Sequence, residues 1–497
     1  MALIGRSKEL LALATLSAAL LALRLVASAT VGFGDSEALY AAYALHPQPA
    51  YLDHPGLIGL LARAIGAGTA PTPQQAHTVT AVLATAWPPA MAITCRACGS
   101  TWRRALLAGA VVALVPEIAV GLFALTPDLP LSFAWTLSIA AAAWALRAPP
   151  RGARFTAGFA FSGLLAGVAC ASKITGVLLW AALASTCLLT TRRTRSLAPW
   201  AGLAAGATIA LSAVSYECST GWPMLRHRLV DTQIGSELSV RNLAVTLGGQ
   251  LAYLSPLVAV LVVLAARSAW QSRHDPVGML LLASFAVPFG ALLPLCLWSR
   301  AAEPHWLAPS WLALVPIAAR DPAATPRRLV VAASSISGAL VVAVHAWVLI
   351  PGLATLAPSS ADARIDISNE LYGWPEVIRA VREEVEARHD AGAADETIAA
   401  VGPHWVICAQ LEAAIRGEFP VGCNTPVRDD FDDWLPRRRW NDADAVLWVT
   451  DTRFGPPPNL SGRMPSRSRE VAIWRGHRTV RVFTLTWFER RALAGAA

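Results

Sequence analysis

The stretch GFGDSEALYAAYALHPQPAYLDHPG (residues 32–56) follows an apolar run at 9–31 and carries three carboxylates, Asp35, Glu37 and Asp53, with His54 beside the last. A carboxylate at a bilayer edge costs free energy unless it is solvated, paired or used, so these acids are functional candidates if the runs around them are membrane spans. The composition says that they are. Of 497 residues, 55% are hydrophobic and only 15% charged, outside the range of an ordinary soluble domain. Apolar runs long enough to cross a hydrocarbon core of roughly 30 Å recur nearly to residue 350. Eleven can be counted, at 9–31, 76–98, 105–125, 128–147, 157–171, 174–190, 199–216, 251–267, 277–298, 306–319 and 329–350.

Basic residues near span ends are retained on the cytoplasmic face. With the N-terminus inside, sixteen Lys and Arg fall on that face: Arg6, Lys8, Arg96, Arg103, Arg104, Arg147, Arg151, Arg154, Arg192, Arg193, Arg195, Arg267, Arg273, Arg320, Arg327 and Arg328. The opposite loops hold six, Arg63, Lys173, Arg226, Arg228, Arg241 and Arg300. The segment 32–56 and everything after 350 are therefore expected outside the cytoplasm. The first run starts behind Arg6 and Lys8 as a signal peptide would, but it lacks a small-residue cleavage site and reads as a retained anchor. The net charge of +8 is accounted for by topology signals and scattered C-terminal residues, so no nucleic-acid role is read from it.

Three parts follow: a helical membrane body at 1–350, a connector at 351–363, and an external α/β domain at 364–497. In the last, PEVIRAVREEVEARHD spaces Val377, Ile378, Val381 and Val385 as an amphipathic helix, and HWVICAQLEAAIRG reads as a second helix ended by Gly417. TIAAVG, DAVLWVT and RTVRVFTL read as strands. The acidic RDDFDDW (Asp429, Asp430, Asp432, Asp433) lacks EF-hand spacing and reads as a solvated loop. Cys95 and Cys98 form a lone C-x-x-C with no second pair to complete a zinc site. Cys408 and Cys423 fall in the external region, where a disulfide is permitted; spacing alone leaves it open.

Asp35 and Glu37 point the same way in an extended segment and diverge by about 200° on a helix. Asp35 also suits the N-cap of a helix starting at Ser36. Capping does not account for Asp53 and His54, sixteen residues after Glu37. Asp128 lies in a turn fixed by Pro127 and Pro130, Lys173 in a break between two apolar segments, and Arg300, Glu303 and His305 in WSRAAEPHW. Each has a bland reading, as cap or interfacial snorkel. Acids and bases gathered on several external turns nonetheless describe a cleft over a helical bundle.

In order along the chain, DSEALY, YLDHPGLIGLL, LTPDLPLSFAW, GLLAGVACASKITGVLL and EPHWLAPSWLAL resemble blocks of the polytopic glycosyltransferases of family 39, which includes the dolichyl-phosphate-mannose protein mannosyltransferases and the bacterial lipid A aminoarabinose transferases. GWPEVIRAV and DAVLWV resemble the bacterial branch's external domain more weakly. The resemblance implies the GT-C fold, a polyprenyl-phosphate sugar donor, and an envelope lipid, polysaccharide or protein as acceptor. It further implies a catalytic carboxylate at Asp35, with Glu37 as runner-up and Asp53 nearby. Donor-phosphate contacts would come from Lys173, His54 and Arg300, and support from Asp128, Glu303 and His305. Asp53 and Asp128 either orient these cations or ligate a divalent metal; metal use varies in the family, so no cofactor is assigned. Two departures stand out. Ser36 occupies the family's usual aspartate position, with Asp35 one residue earlier, and His54 stands where aminoarabinose-type members have lysine. The competing classes are a lipid or solute transporter, which the clustering of charges on one face and the lack of an inverted repeat disfavour, and a non-catalytic envelope scaffold.

Overall fold

The computed structural model describes residues 2–190, 196–358, 360–393, 396–457, 459–460 and 462–490. Arg192, Arg193 and Arg195, counted above as topology signals, lie outside the described residues. The chain forms two compact units. The first comprises Met1–Leu25, Pro49–Ile58 and Val79–Val344; the second comprises Val26–Gln48, Gly59–Thr78 and His345–Ala497. The segment carrying Asp35 and Glu37 thus belongs to the unit built around the C-terminal sheet, not to the helical body in which a boundary at residue 350 places it.

Among the described residues, seven helices are long and apolar enough to cross a membrane, or up to nine if two bent pairs are each one span, against the eleven runs counted in the sequence. The differences have local causes. The run at 174–190 forms Gly176–Leu189, and 14 residues at 1.5 Å each reach only about 21 Å. The run at 306–319 is divided among three short helices, Pro304–Leu307, Ala308–Leu312 and Leu314–Arg320. The pairs Trp102–Ala113 with Pro116–Phe123 and Val240–Leu254 with Pro256–Gln271 bend by 76° and 97°. Both bends fall at a proline, which has no N–H to donate and clashes with the preceding turn.

The α-helix after the first bend is short, Pro116–Ala119, and Arg24 meets its last carbonyls. Fully buried, it donates to Ala119 O (2.9 and 3.1 Å), Ile118 O (2.9 Å) and Thr85 Oγ1 (3.1 Å). Its presence in an apolar run is explained by structure rather than transport.

Helices Ala153–Ser172 and Ala198–Thr220 each carry glycines four apart, Gly163 with Gly167 and Gly202 with Gly206. A Cβ on Gly206 would meet Gly163 O at 1.9 Å, and one on Gly163 would meet Gly202 O at 1.9 Å. The backbones therefore touch, the arrangement that brings helices together where water exclusion cannot. Gly206→Ala is expected to lower stability by about 1–3 kcal/mol through overpacking. Thermal unfolding in detergent checks this, with Gly248→Ala, in open space on another helix, not lowering the midpoint.

The second unit holds a five-stranded sheet: β1 Ile398–Gly402, β2 Val421–Cys423, β3 Ala445–Asp451, β4 Arg463–Arg475 and β5 Arg478–Arg490, in the order β2-β1-β3-β5-β4. β1 runs parallel to β2 and β3, while β5 is antiparallel to β3 and β4. Three strands match the β-branched segments read from the sequence. β2 is only three residues, and β4 alternates charged and exposed side chains, so neither gave an apolar signal. Helix Trp374–Arg388 buries Val377, Ile378, Val381 and Val385 as its spacing implies, and helix Trp405–Ile415 ends at Arg416 and Gly417, both left-handed.

Cys95 and Cys98 are buried. Cys408 and Cys423 are buried thiols that are not bonded to each other. They are close, since Cys423 pairs in register with Gly402, over which Cys408 Sγ lies. The acidic loop is internally engaged: Asp429 accepts Phe431 N–H (3.0 Å), Asp430 accepts Tyr43 O–H (3.0 Å), and Asp432 and Asp433 pair with Arg437 and Arg428.

Candidate active site

The implicated residues of the first unit form two groups. Pro127 precedes helix Asp128–Leu146 and places Asp128 in its first turn, where a negative charge suits the helix dipole. Helix Ala153–Ser172 stops at Lys173, whose extended backbone opens the break seen in the sequence. Lys173 Nζ donates to both oxygens of Asp128 at 2.9 Å. His305 joins them, with Nε2 3.8 Å from Asp128 and Nδ1 3.1 Å from Glu303. The hydrogen bond to His305 holds the Glu303 carboxyl below its ordinary value, against its burial. Beside this group is a pocket of about 180 Å³, whose lining includes Glu117, Asp128, Ser132, Trp135, Tyr253 and His305.

The second group is the turn at 49–56, closed by Gly56 N–H to Pro49 O (2.8 Å) and Tyr51 N–H to His54 O (2.9 Å). Asp53 Oδ1 pairs with Arg228 (3.0 Å) and lies 3.6 Å from His227. Arg228 also donates to Asp53 O (3.1 Å). His54 is buried, and burial, followed by the charges of Arg228, Lys173 and His305, pushes it well below its ordinary value. It is neutral at pH 7 and can offer a hydrogen bond but no charge to a phosphate. Arg300 is exposed against Gly235 and, among the described residues, makes no ion pair with either group. The sequence counted Arg228 only as a loop charge and passed over His227, because nothing local marks a partner 175 residues away.

In the second unit, Asp35 opens helix Asp35–Ala42 and Gly34 is its N-cap. The expected cap role of Asp35 belongs instead to Glu37, which accepts Gly34 N–H at 2.9 Å. A helix makes the two acids diverge, and their partners differ. Glu37 meets His77 Nε2 at 2.9 Å. Asp35 Oδ2 meets Arg453 at 2.5 Å, and Arg453 is held in turn by Asp451 (2.9 Å). Burial raises the Asp35 carboxyl, which Arg453 counters. Glu370, whose Oε2 lies 3.5 Å from Asp35 N, is pushed up to about 7 by burial and by the charge of Asp35. Asp35 Oδ1 is buried with no hydrogen-bond partner among the described residues.

The whole segment is seated on this unit. Gly32 N–H donates to Leu371 O (2.9 Å), and Gln410 Nε2 to Phe33 O (2.8 Å). His46 pairs with Glu412 (2.7 Å) and stacks on Trp434 at 4.1 Å. Neither Arg453 nor His77 was read from the sequence. Among the described residues, no three His, Cys, Asp or Glu side chains gather as metal ligands.

The chain thus combines a polytopic helical body with a C-terminal sheet-bearing domain. Solved structures share this fold along nearly the whole chain. ArnT from Cupriavidus metallidurans bound to undecaprenyl phosphate is 15% identical at a TM-score of 0.57, covering 97% of this chain and 99% of that one. Its apo state gives 16% identity and a TM-score of 0.56, covering 95% and 97%. The archaeal oligosaccharyltransferase AglB from Archaeoglobus fulgidus, in complex with an inhibitory peptide and a dolichol-phosphate, gives 12% identity and a TM-score of 0.54, covering 89% of this chain and 69% of that one. No protein-family model matches the sequence, and no curated protein does.

Proposed function

We propose that this chain is an integral-membrane glycosyltransferase that moves a sugar from a polyprenyl-phosphate-linked donor to an envelope acceptor on the extracytoplasmic face, with the relationship to family 39 that the ordered motifs suggest. The observation that carries the reading is the Lys173–Asp128–His305 group, whose Asp128 and His305 line a pocket. The buried ammonium is paired with one carboxylate and keeps a third N–H for a phosphate oxygen, with a histidine beside it. It sits in a chain whose fold matches proteins solved with undecaprenyl phosphate and with a dolichol-phosphate.

In the reaction, the acceptor hydroxyl attacks the anomeric carbon, the carbon–oxygen bond to phosphate breaks, and polyprenyl phosphate leaves with the electron pair. Lys173 holds the charge that grows on the leaving oxygen, where low dielectric strengthens the attraction. Asp35 takes the hydroxyl proton, a role suited by its Oδ1, which has no hydrogen-bond partner among the described residues; Glu37, already bonded to Gly34 and His77, is the second choice. Asp53 orients Arg228, and His54 supplies a neutral hydrogen bond. Arg300, which has no carboxylate partner among the described residues, is left for the outer edge of the phosphate. The membrane orientation is the one read from basic residues: N-terminus in the cytoplasm, sheet domain outside.

The test is transfer by the purified chain, given polyprenyl-phosphate sugars and an envelope lipid and glycan extract, read by the mass gained on the acceptor. Release of polyprenyl phosphate with a matching gain in mass supports the proposal. Uptake or translocation of the donor without transfer overturns it.

A further inference from the structure

The end of the first unit away from Lys173 carries a feature that sugar transfer does not use. Helix Asp128–Leu146 spans about 28 Å, with Asp128 at one end and Arg147 just past the other. Around that second end lie Arg104, Arg147, Arg320 and Arg327. Arg147 donates to Ala97 O (3.2 Å) and Arg104 to Arg320 O (3.0 Å). Between helices Trp102–Ala113, Pro256–Gln271, Leu314–Arg320 and Arg327–Leu349 a cleft of about 400 Å³ opens there. Its floor is buried and apolar, with Val112, Leu261, Ala265 and Ala319, while Leu107 and Val331 on its walls are exposed.

Two arginines stand at the polar end of this otherwise apolar cleft, Arg104 and Arg327, with Thr325 between them in sequence position on the connecting loop. Among the described residues neither is within ion-pair distance of a carboxylate. Among the described residues, Arg104 donates to Arg320 O and Thr325 Oγ1 (3.3 Å) and to no carboxylate. The acid that feels it, Asp321, is held by Ser268 Oγ (2.7 Å) and Ala323 N–H (2.9 Å). Arg320 is neutralised by Asp275 at 2.8 Å, and Arg103 by Glu9 at 2.7 Å. The cleft therefore joins an acyl-sized apolar groove to two arginines that, among the described residues, no carboxylate pairs directly.

We infer that this cleft is a binding site for an anionic glycerophospholipid, one acyl chain in the groove and the phosphate diester between Arg104 and Arg327. An acyl chain entering the groove leaves one apolar medium for another, so the chain supplies fit and little selectivity. Selectivity comes from the headgroup. A zwitterionic lipid brings its own cation to the arginines, whereas phosphatidylglycerol does not.

The experiment is competition between phosphatidylglycerol and phosphatidylcholine of identical acyl chains, on the full-length chain in detergent, with retained lipid counted by native mass spectrometry. The expected result is about a tenfold preference for phosphatidylglycerol, lost in the Arg104→Gln/Arg327→Gln double variant and kept in Arg103→Gln. Val331→Trp, which blocks the exposed wall with both arginines in place, is expected to reduce retention as well, and it tests the site should the double variant fail to fold. Equal retention of the two lipids by the unmodified chain overturns the inference. So does full displacement of phosphatidylglycerol by inorganic phosphate at equal concentration, which would make the site one for a free anion, or undiminished preference in the folded double variant. None of these readouts depends on sugar transfer, so failure here and failure of the proposed function are separable.

Discussion

Lys173→Met is expected to reduce transfer from a polyprenyl-phosphate sugar by on the order of 10²–10³-fold, the loss seen when one preorganised charge partner of a developing anion is removed. Methionine keeps the length and apolar body of the side chain, so the change isolates the ammonium. That ammonium gives two hydrogen bonds to the same carboxylate, Asp128 Oδ1 and Oδ2, and retains a third N–H for an incoming oxygen. Lys173→Arg keeps the charge with a different shape and should retain more activity than the methionine variant. Steady-state transfer and the binding of undecaprenyl phosphate, measured on the same preparations, decide the matter. Donor binding and turnover equal to those of the unmodified protein would remove Lys173 from the phosphate site.

The second large effect concerns Asp35 and Arg453. Arg453→Gln leaves a buried carboxylate without its counter-charge, and breaking a buried pair from one side is expected to cost about 3–5 kcal/mol. Asp35→Asn/Arg453→Gln removes both members of that pair and should recover part of that stability, since much of the penalty lies in the orphaned charge; Asp451, the arginine's other carboxylate, keeps Arg481 at 3.5 Å. Activity should not follow stability. Asp35→Asn, alone or in the double variant, is expected to lose on the order of 10²–10⁴-fold in turnover as the proton acceptor disappears. Thermal unfolding of the four proteins of this cycle gives the coupling, and transfer assays at matched folded fraction give the catalytic part. A double variant that regains both stability and turnover would show Asp35 to be structural and pass the role to Glu37.

The helical body was legible because span length is set by the bilayer and leaves a mark of about twenty apolar residues wherever a helix crosses. The bends at Pro116 and Pro256 were not, because each half remains apolar and only the proline signals the break. Helix Trp374–Arg388 could be read from its 3.6-residue period, whereas β4, exposed along most of its length, has no period to read. At the candidate site, Lys173, Asp128 and His305 sit in recognisable blocks, and the structure brings those three together. The partners of the acids were hidden. Arg453 is 418 residues from Asp35 and His77 is 40 from Glu37, and no local pattern encodes which distant charge a side chain will meet.

The seating of residues 32–46 on the C-terminal sheet unit sets a rule for anyone recombining such proteins. A chimera joined at the end of the last span, exchanging the sequence beyond residue 350 and nothing else, would strip Asp35 of its arginine, His46 of Glu412 and Phe33 of Gln410 in a single cut. The heritable module is discontinuous: Val26–Gln48 and Gly59–Thr78 must travel with His345–Ala497, and grafts that respect this composite cassette are the ones that should survive transplantation.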